Sequence, residues 1–554
     1  MTLRPRPLPP VPAETARIAH ASFPKGHPSS RAADELGAVC TDATFAAPFR
    51  RRGPPALAPW RLALTTLRQF AEGLSNRQAA DAVRARLDRE YVLRLALDDA
   101  GFAAAAPCAL RGRLAAGEAA WRLFEAVLAW ARTRQLLRAR GQRRTDSTHV
   151  LAAVRARNRL EVVGETLRHA LDSPAVAAPE WLRPQRRPGW PERDARCLAD
   201  ADPPKGRAAR EACAVRVGGD GHALLAAVWA SDAPAWLREI PAVATLRRVR
   251  VQRFRPEGDA IRWRAADDIP PAAVSSGSPY DADAHDARKG TTSWVGYTVQ
   301  LTEACDNHLP RPITHVETTT APVVDAAALP RVHHVLQDRD LLPAVHLVDS
   351  GSLDAPRIVA AQEDHAVALR GPMRPDYRWQ ARTGSGFALD DFHLDREGER
   401  AVCPAGHTSI SWRQRPDPAG RDLIRVKFSR TDCGPCPGRP ACCRASGRSP
   451  RRTLCPRPRT RFAALRAARR REATAAFGAS DVARAGIAGT LARGLRRCRL
   501  RRTRHRSQPK VHLGHILAAT GLNFLPLGEW SLGLSRRRPP RSPCARLLAA
   551  PIAA

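Results

Sequence analysis

From Trp60 onward, the apolar residues of WRLALTTLRQFAEGLSNRQAADAVRARL fall at helical spacing. Leu64, Leu67, Ala71 and Leu74 share one face, and Ala79, Val83 and Leu87 share the face of a second helix. Between them, Ser75 with Gln78 three residues on makes a capping box, which starts the second helix by satisfying its first backbone N–H groups. The pair predicts a compact helical domain, in which a helix that enters DNA and a plain bundle are both open readings. A further helix is expected over about 115–138, followed by RRTDSTHVLAAV, where Asp146 stands with Thr145, Thr148 and Val150 in a strand or strand end. Helix resumes in LEVVGETLRHAL, with Leu160, Val163, Leu167 and Leu171 on one face.

Residues 175–290 are rich in Pro, Ala and Trp and predict a mostly helical excursion with irregular joints. Strands follow: SWVGYTVQLTEA alternates Val295, Tyr297, Val299 and Leu301, PITHVETTTAPVV comes next, and AVHLVDSGS and HAVALRGP lie beyond a helical linker. The order predicts an α/β core, a mixed sheet flanked by helices, interrupted after its first acidic strand. Residues 1–55, rich in Pro and Arg and without periodicity, are expected to form an extended or loosely packed arm.

Charge adds a partner to this picture. The 554 residues carry 90 Lys and Arg against 54 Asp and Glu, a formal +36, with a pI near 11.3. GC-rich coding accounts for Arg over Lys but not for the excess over acids, so a polyanion, nucleic acid first, is the expected partner. No leader-like apolar stretch and no run of about 18 apolar residues is present, which predicts a cytoplasmic protein with no membrane partner. Of the 13 cysteines, Cys40, Cys108, Cys197, Cys213 and Cys305 are scattered singly, as small buried thiols of a reducing compartment are.

Three groups of residues carry candidate chemistry. Asp349 ends the apolar run VHLVD just before Ser350 and Gly351, where strand ends of open α/β sheets deliver side chains to a crevice. With Asp146 it makes a carboxylate pair suited to one or two Mg²⁺ ions; each Asp alone is equally readable as a turn former or helix cap. Cys433-x2-Cys436-x5-Cys442, with Cys403 thirty residues upstream, offers thiolates for a structural Zn²⁺ or a set of reduced thiols in a loop-rich segment. The block from Arg493 to Arg506 would repel itself as a solvated helix face, and neutralising DNA phosphates gives it a purpose.

Taken in order, RRTDSTHVLAAVRARNRLEVVGETLRHAL, SPYDADAH, TTSWVGYTVQLTEACD, ITHVETTTA, LLPAVHLVDSG, DCGPCPGRPACC and ARAGIAGTLARGLRR resemble the bacterial insertion-sequence DDE transposases of the insertion-sequence eleven-eighty-two type, over about residues 10–530. The resemblance implies an RNase H-like core in which two aspartates and a glutamate hold Mg²⁺, with Mn²⁺ as substitute, for DNA strand cleavage and joining. Asp146 matches the first acid and Asp349 the second. The third should stand in Arg-Ala-Gly-Ile-Glu-Gly-Thr, but Ala488 occupies its place between Arg484 and Arg496. No Asp or Glu occurs from Val482 through Gly528, and Asp481, seven residues back, would lie about 10.5 Å along a helix, too far to substitute. Other departures are Thr298 and Gln300 in the Gly-Tyr strand, Ser352, and His505 between Arg504 and Arg506.

The implied partners are double-stranded DNA, both terminal repeats and target, bound by a homodimer in the nucleoid-associated bacterial cytoplasm. The expected phosphate contacts are Arg484, Arg493, Arg496, Arg497, Arg499, Arg501, Arg502 and Arg504. The expected domains are an arm (1–55), a helical domain (56–138), the first part of the core (139–375, with the excursion at about 155–290), a cysteine-bearing β-rich insertion (376–460), final core helices (461–530) and a disordered tail (531–554). Ala488 predicts a catalytically impaired copy; a DNA-binding relic or repressor and a structure-selective nuclease are the rival readings.

Overall fold

The computed structural model describes residues 2–533 except 28, 31–33, 35–40, 51, 116–118, 156, 188–189, 191–203, 259, 417–419, 421, 445–450 and 532. Cys40, Cys197 and nearly all of the tail expected to be disordered therefore lie outside the described residues. The chain forms two compact units: Met1–Arg138, Ser147–Val324 and Gly489–Ala554 make the first, and Ala139–Asp146 and Asp325–Ala488 make the second.

In the first unit the amino-terminal bundle consists of helices Pro59–Glu72, Asn76–Ala85, Leu87–Leu93, Ala105–Ala115 and Ala119–Thr133. Trp60, Leu64, Leu67 and Ala71 bury the apolar face that the periodicity marks. The turn between the first two helices ends on Gly73 at φ +67°, and the capping box forms: Gln78 N donates to Ser75 Oγ at 3.2 Å and Ser75 N to Gln78 Oε1 at 2.9 Å. Under the bundle lies a buried ionic knot. Arg68 reaches Asp88 at 2.8 Å and Glu72 at 3.1 Å, and Arg89 reaches Glu72 at 2.8 Å. The arm expected to be extended contains a helix, Ala13–Ser22, because AETARIAHAS is free of Pro and Thr15 Oγ1 anchors it to Leu95 O at 2.8 Å.

Strand β1, Gln142–Leu151, follows the bundle, and a helical excursion then begins with Arg159–Ala177, capped by Asn158. Helices Arg207–Trp229 and Pro241–Arg253 and the hairpin of β2 (Phe254–Glu257) and β3 (Ala260–Trp263) close a separate core around Leu167, Val217, Leu224, Val243, Leu246 and Phe254. Antiparallel β4 (His285–Lys289) and β6 (Ile313–Thr320) pair with successive halves of the long β5 (Thr292–Ala304), and β1 is β5's other neighbour. Helix Gln508–Ser531 packs on β6 and on the bundle helices Pro59–Glu72, Ala105–Ala115 and Ala119–Thr133. Its Asn523 brackets Ile313, accepting from the backbone N at 2.7 Å and donating to the carbonyl at 2.8 Å.

In the second unit, the first residues of β1 pair in parallel with β7 (Val345–Leu347), which pairs in parallel with β8 (Ala368–Arg370). Helices Asp325–Asp338, Ala355–His365, Arg459–Glu472 and Ala475–Ala485 surround these strands in sequence. Between them, β9 (His393–Asp395) pairs with β10 (Arg400–Val402), and β11 (Ser411–Pro416), β12 (Asp422–Lys427) and β13 (Thr453–Leu454) form a small sheet around Phe392, Val426 and Phe428. Among the described residues no helix is long and apolar enough to cross a membrane.

The ionic knot yields a stability prediction. Burial drives Arg89 down to about 10, even with Glu72 and Asp88 beside it. Asp88→Ala removes a partner from Arg68 and Arg86 at once, and breaking a buried pair such as Arg68–Asp88 costs about 3–5 kcal/mol. Urea unfolding of the variant should show a matching drop, whereas Glu14→Ala in the exposed Glu14–Arg17 pair should leave the midpoint unchanged.

Candidate active site

The ladder of β1 and β7 runs Gln142 to Val345, Arg143 to His346 and Arg144 to Leu347. Asp146 stands on β1 two residues beyond the last of these pairs, and Asp349 follows two residues after β7 ends at Leu347. Side chains of paired residues leave the same face and successive ones alternate, so Asp146, Arg144 and Leu347 share one side of this sheet and Arg143, Thr145 and His346 the other. Both aspartates are half-buried. One oxygen of Asp349 accepts from Ser352 N at 2.9 Å, so this residue also forms the turn that ends the strand. Arg374 braces that turn, donating to the carbonyls of Ser350 at 3.1 Å and Gly351 at 3.2 Å.

Arg144 is the functional residue that sequence reasoning passed over. Its side chain is 1% exposed, and its guanidinium donates to Ala483 O near the end of helix Ala475–Ala485, which packs on β7. Gly486 closes on the same guanidinium so tightly that a Cβ there would overlap it. Ile487, 1% exposed, then begins the next helix, Ile487–Arg497, and Ala488 follows on its surface. The break that leads into Ala488 is thus held against β1 through Arg144. One expectation is corrected: Asp481 and Ala488 do not lie on one helix, because the helix ends at Ala485 and Gly486 separates the two. Asp481 is instead engaged by Arg484 Nε at 2.6 Å, which removes Arg484 from the freely exposed phosphate contacts.

On the opposite face a buried polar chain backs the site. Thr145 Oγ1 lies 2.7 Å from His346 Nε2, His346 Nδ1 lies 2.8 Å from His333 Nε2, and the ring of His365 stands edge-on to His333 at 5.5 Å. His346 thus engages both ring nitrogens, one as donor and one as acceptor when neutral. Burial pushes His333 down to about 4, with His365 adding to the effect. These histidines were legible only as polar interruptions of apolar runs.

Three of the four cysteines of the expected zinc set gather at one small core. Cys403, Cys433 and Cys442 pack at the edge of the Phe392, Val426 and Phe428 core, whereas Cys436 does not. Burial raises the Cys433 thiol, with Cys403, Cys436 and Cys443 nearby, and pushes Cys442 up to about 11. Among the described residues no group of three or more His, Cys, Asp or Glu is arranged to hold a metal ion.

The arginine block is not one helix. Helix ends at Arg497, leaving Arg493 half-buried and Arg496 and Arg497 exposed, and residues 498–507 form a loop stitched to β1 by Leu151 N to Arg501 O at 2.8 Å and Thr503 N to Leu151 O at 3.1 Å. Arg501 donates to Thr148 Oγ1 at 3.2 Å, and Arg504 donates to the carbonyls of Leu74 and Gly73 at 2.6 and 2.9 Å. Arg499 and Arg502 are exposed.

Residues 402–527 match the family model described as a transposase DDE domain, and residues 18–108 match that of the transposase domain DUF772. These matches support a bacterial transposase. The first spans the cysteine-bearing segment, Gly486 and Ala488, and the second covers most of the amino-terminal bundle. No curated protein and no solved structure gives a significant match.

Two measurements probe the supports of this site. Gly486→Ala forces the added methyl against Arg144, and overpacking of this kind costs about 1–3 kcal/mol. The control Gly489→Ala enters open space inside a helix and should be neutral or stabilising in thermal melts. A histidine held below its ordinary value of about 6.5 is kept neutral by the fold, so the unfolded chain takes up the proton first. Stability contributed by His333 is therefore complete above pH 6.5, declines as the pH falls, and is gone near its folded value of about 4. His333→Gln should flatten that decline in denaturation midpoints taken across this range.

Proposed function

We propose that this chain is a DDE-type DNA transposase, of the insertion-sequence eleven-eighty-two type, whose first two catalytic acids are Asp146 and Asp349 on an RNase H-like core and whose third acidic seat holds Ala488. Its partner is double-stranded DNA carrying the terminal repeats of a mobile element. The single observation that supports the reading best is the parallel pairing of β1 with β7, because Asp146 lies on β1 and Asp349 just beyond the end of β7, each two residues past the last pair. The +36 charge and the two transposase matches agree with it.

Two half-buried carboxylates are a donor set that suits Mg²⁺, or Mn²⁺ in its place, a hard cation that binds through few carboxylates and keeps places for phosphate oxygens. When bound, such an ion stabilises charge on the oxygens of a phosphodiester under attack. The chain's own contribution is positional. The β1–β7 ladder fixes the spacing of the two carboxylates, the Ser352 turn orients Asp349, and Arg144 holds the backbone that leads into Ala488. Basic side chains hold the DNA backbone and contribute register rather than sequence choice.

Ala488 favours a second reading, a DNA-binding relic that occupies transposon ends without cutting them. An exposed methyl at the start of a helix can replace a carboxylate without disturbing the core, so folding and DNA binding survive its loss.

The two readings separate in one experiment. On the inverted repeats that flank the gene, the unmodified chain should bind but nick at background level with Mg²⁺. Ala488→Glu should raise nicking by at least about tenfold, equivalent to 1.4 kcal/mol in the transition state. Adding Asp349→Ala should abolish the gain. Robust cleavage by the unmodified chain that survives Asp146→Ala would overturn the site assignment.

A further inference from the structure

Within the first unit, a cavity of about 560 Å³ opens where the Gly73 turn, helix Ala105–Ala115 and the loop after Arg497 meet. Arg111, Arg499, Arg502 and Arg504 line it, and no Asp or Glu is among its described lining residues. Arg111 is only 7% exposed, and its guanidinium donates to Gln69 Oε1 at 2.8 Å and to Asn76 Oδ1 at 2.8 Å, both neutral acceptors. Arg504 is held by two backbone carbonyls. The same bundle treats its other buried arginines differently, pairing Arg68 and Arg89 with Asp88 and Glu72. A buried charge fixed by neutral acceptors remains uncompensated, which is costly unless an anion completes it.

Other features of the cavity point to the same class of ligand. Ser75 and Asn76, the N-cap and first residue of the ten-residue helix Asn76–Ala85, line it, adding the partial positive charge of a helix start. One wall is aromatic: the rings of Phe70 and His505 stack at 6.4 Å and 18°, and the Arg111 guanidinium lies 6.0 Å from the centre of the Phe70 ring. Burial, then the charges of Arg111, Arg504 and Lys510, push His505 down to about 4, which keeps that ring neutral at pH 7.

We infer that this cavity binds a phosphate group of single-stranded nucleic acid, with Arg111 and Arg504 as its fixed base, Arg499 and Arg502 as closing arms, and Phe70 and His505 as a wall for the adjoining base or sugar. Its volume falls within the range of about 300–1,000 Å³ typical of pockets for small ligands, which suits a nucleotide and not a duplex. The inference rests on the nucleic-acid reading above and narrows it to a strand end or an unpaired segment.

The test uses the full chain and two readouts. Cys108 lines the cavity and is exposed, so a bound anion should slow its alkylation. Inorganic pyrophosphate should protect Cys108 in the unmodified chain and fail to do so in Arg499→Ala/Arg502→Ala, whose changes lie at exposed positions. In filter binding of a short single-stranded oligonucleotide, the same double variant should lower the slope of log affinity against log salt by about 0.7 for each phosphate that is no longer neutralised. Tighter binding of a 5′-phosphorylated strand than of its unphosphorylated twin assigns the pocket to a terminal phosphate, and equal binding assigns it to an internal phosphodiester; either supports the inference. Protection of Cys108 by pyrophosphate with no duplex binding by the chain would keep the pocket and defeat the transposase reading. No protection of Cys108, together with an unchanged slope in the double variant, would overturn the pocket itself.

Discussion

Parallel strands that pair as neighbours must start from the same end of a sheet, so the chain between them has to be carried back across it. β1 and β7 are such neighbours, yet β1 ends at Leu151 and β7 begins at Val345. Everything between them, including a helical excursion with its own apolar core, serves as one long crossover. Loop closure costs grow only with the logarithm of length, so an excursion of this size is tolerated once it is folded. What the ladder secures in return is the pairing of the segments that lead to two aspartates from distant parts of the chain. A slip of one residue in either strand would send one of them to the opposite face.

Arginine plays three separate parts in this chain. In the amino-terminal bundle Arg68 and Arg89 are buried with carboxylate partners and act as ionic struts. Beside the aspartates Arg144 is buried against a backbone carbonyl and a glycine, so it works as a spacer between strand and helix. Around the cavity Arg111 and Arg504 are fixed by neutral acceptors and keep their charge available. Composition alone describes these residues as one basic excess. Their partners, not their number, determine which arginines stabilise the fold and which can attract a polyanion.

The polar chain behind Thr145 and the glycine beneath Arg144 act on opposite faces of the same strand. His346 and His333 fill one side with hydrogen-bonded rings, and burial holds His333 below its ordinary value, while Arg144 and Gly486 set the distance to the helix on the other. The stretch of β1 that leads to Asp146 is therefore clamped from both sides. In the cysteine-bearing segment, by contrast, Cys403, Cys433 and Cys442 gather at the edge of an apolar core.

Elements that depend on local periodicity were legible in the chain itself. The Ser75–Gln78 cap, the alternating strand through Val295 and Tyr297, and the placement of Asp146 within a strand and of Asp349 just after one follow from spacing and from the backbone needs of neighbouring residues. The tertiary structure alone decided the rest. The break at Gly486 arises where Arg144, more than 300 residues away in sequence, occupies the space beside the helix. The cavity forms where a turn at Gly73, a helix at Arg111 and a loop at Arg499–Arg504 converge from three parts of the chain. Local sequence controls dihedral angles and the periodicity of faces, whereas charge compensation, close approach and burial depend on which distant residues arrive at the same place.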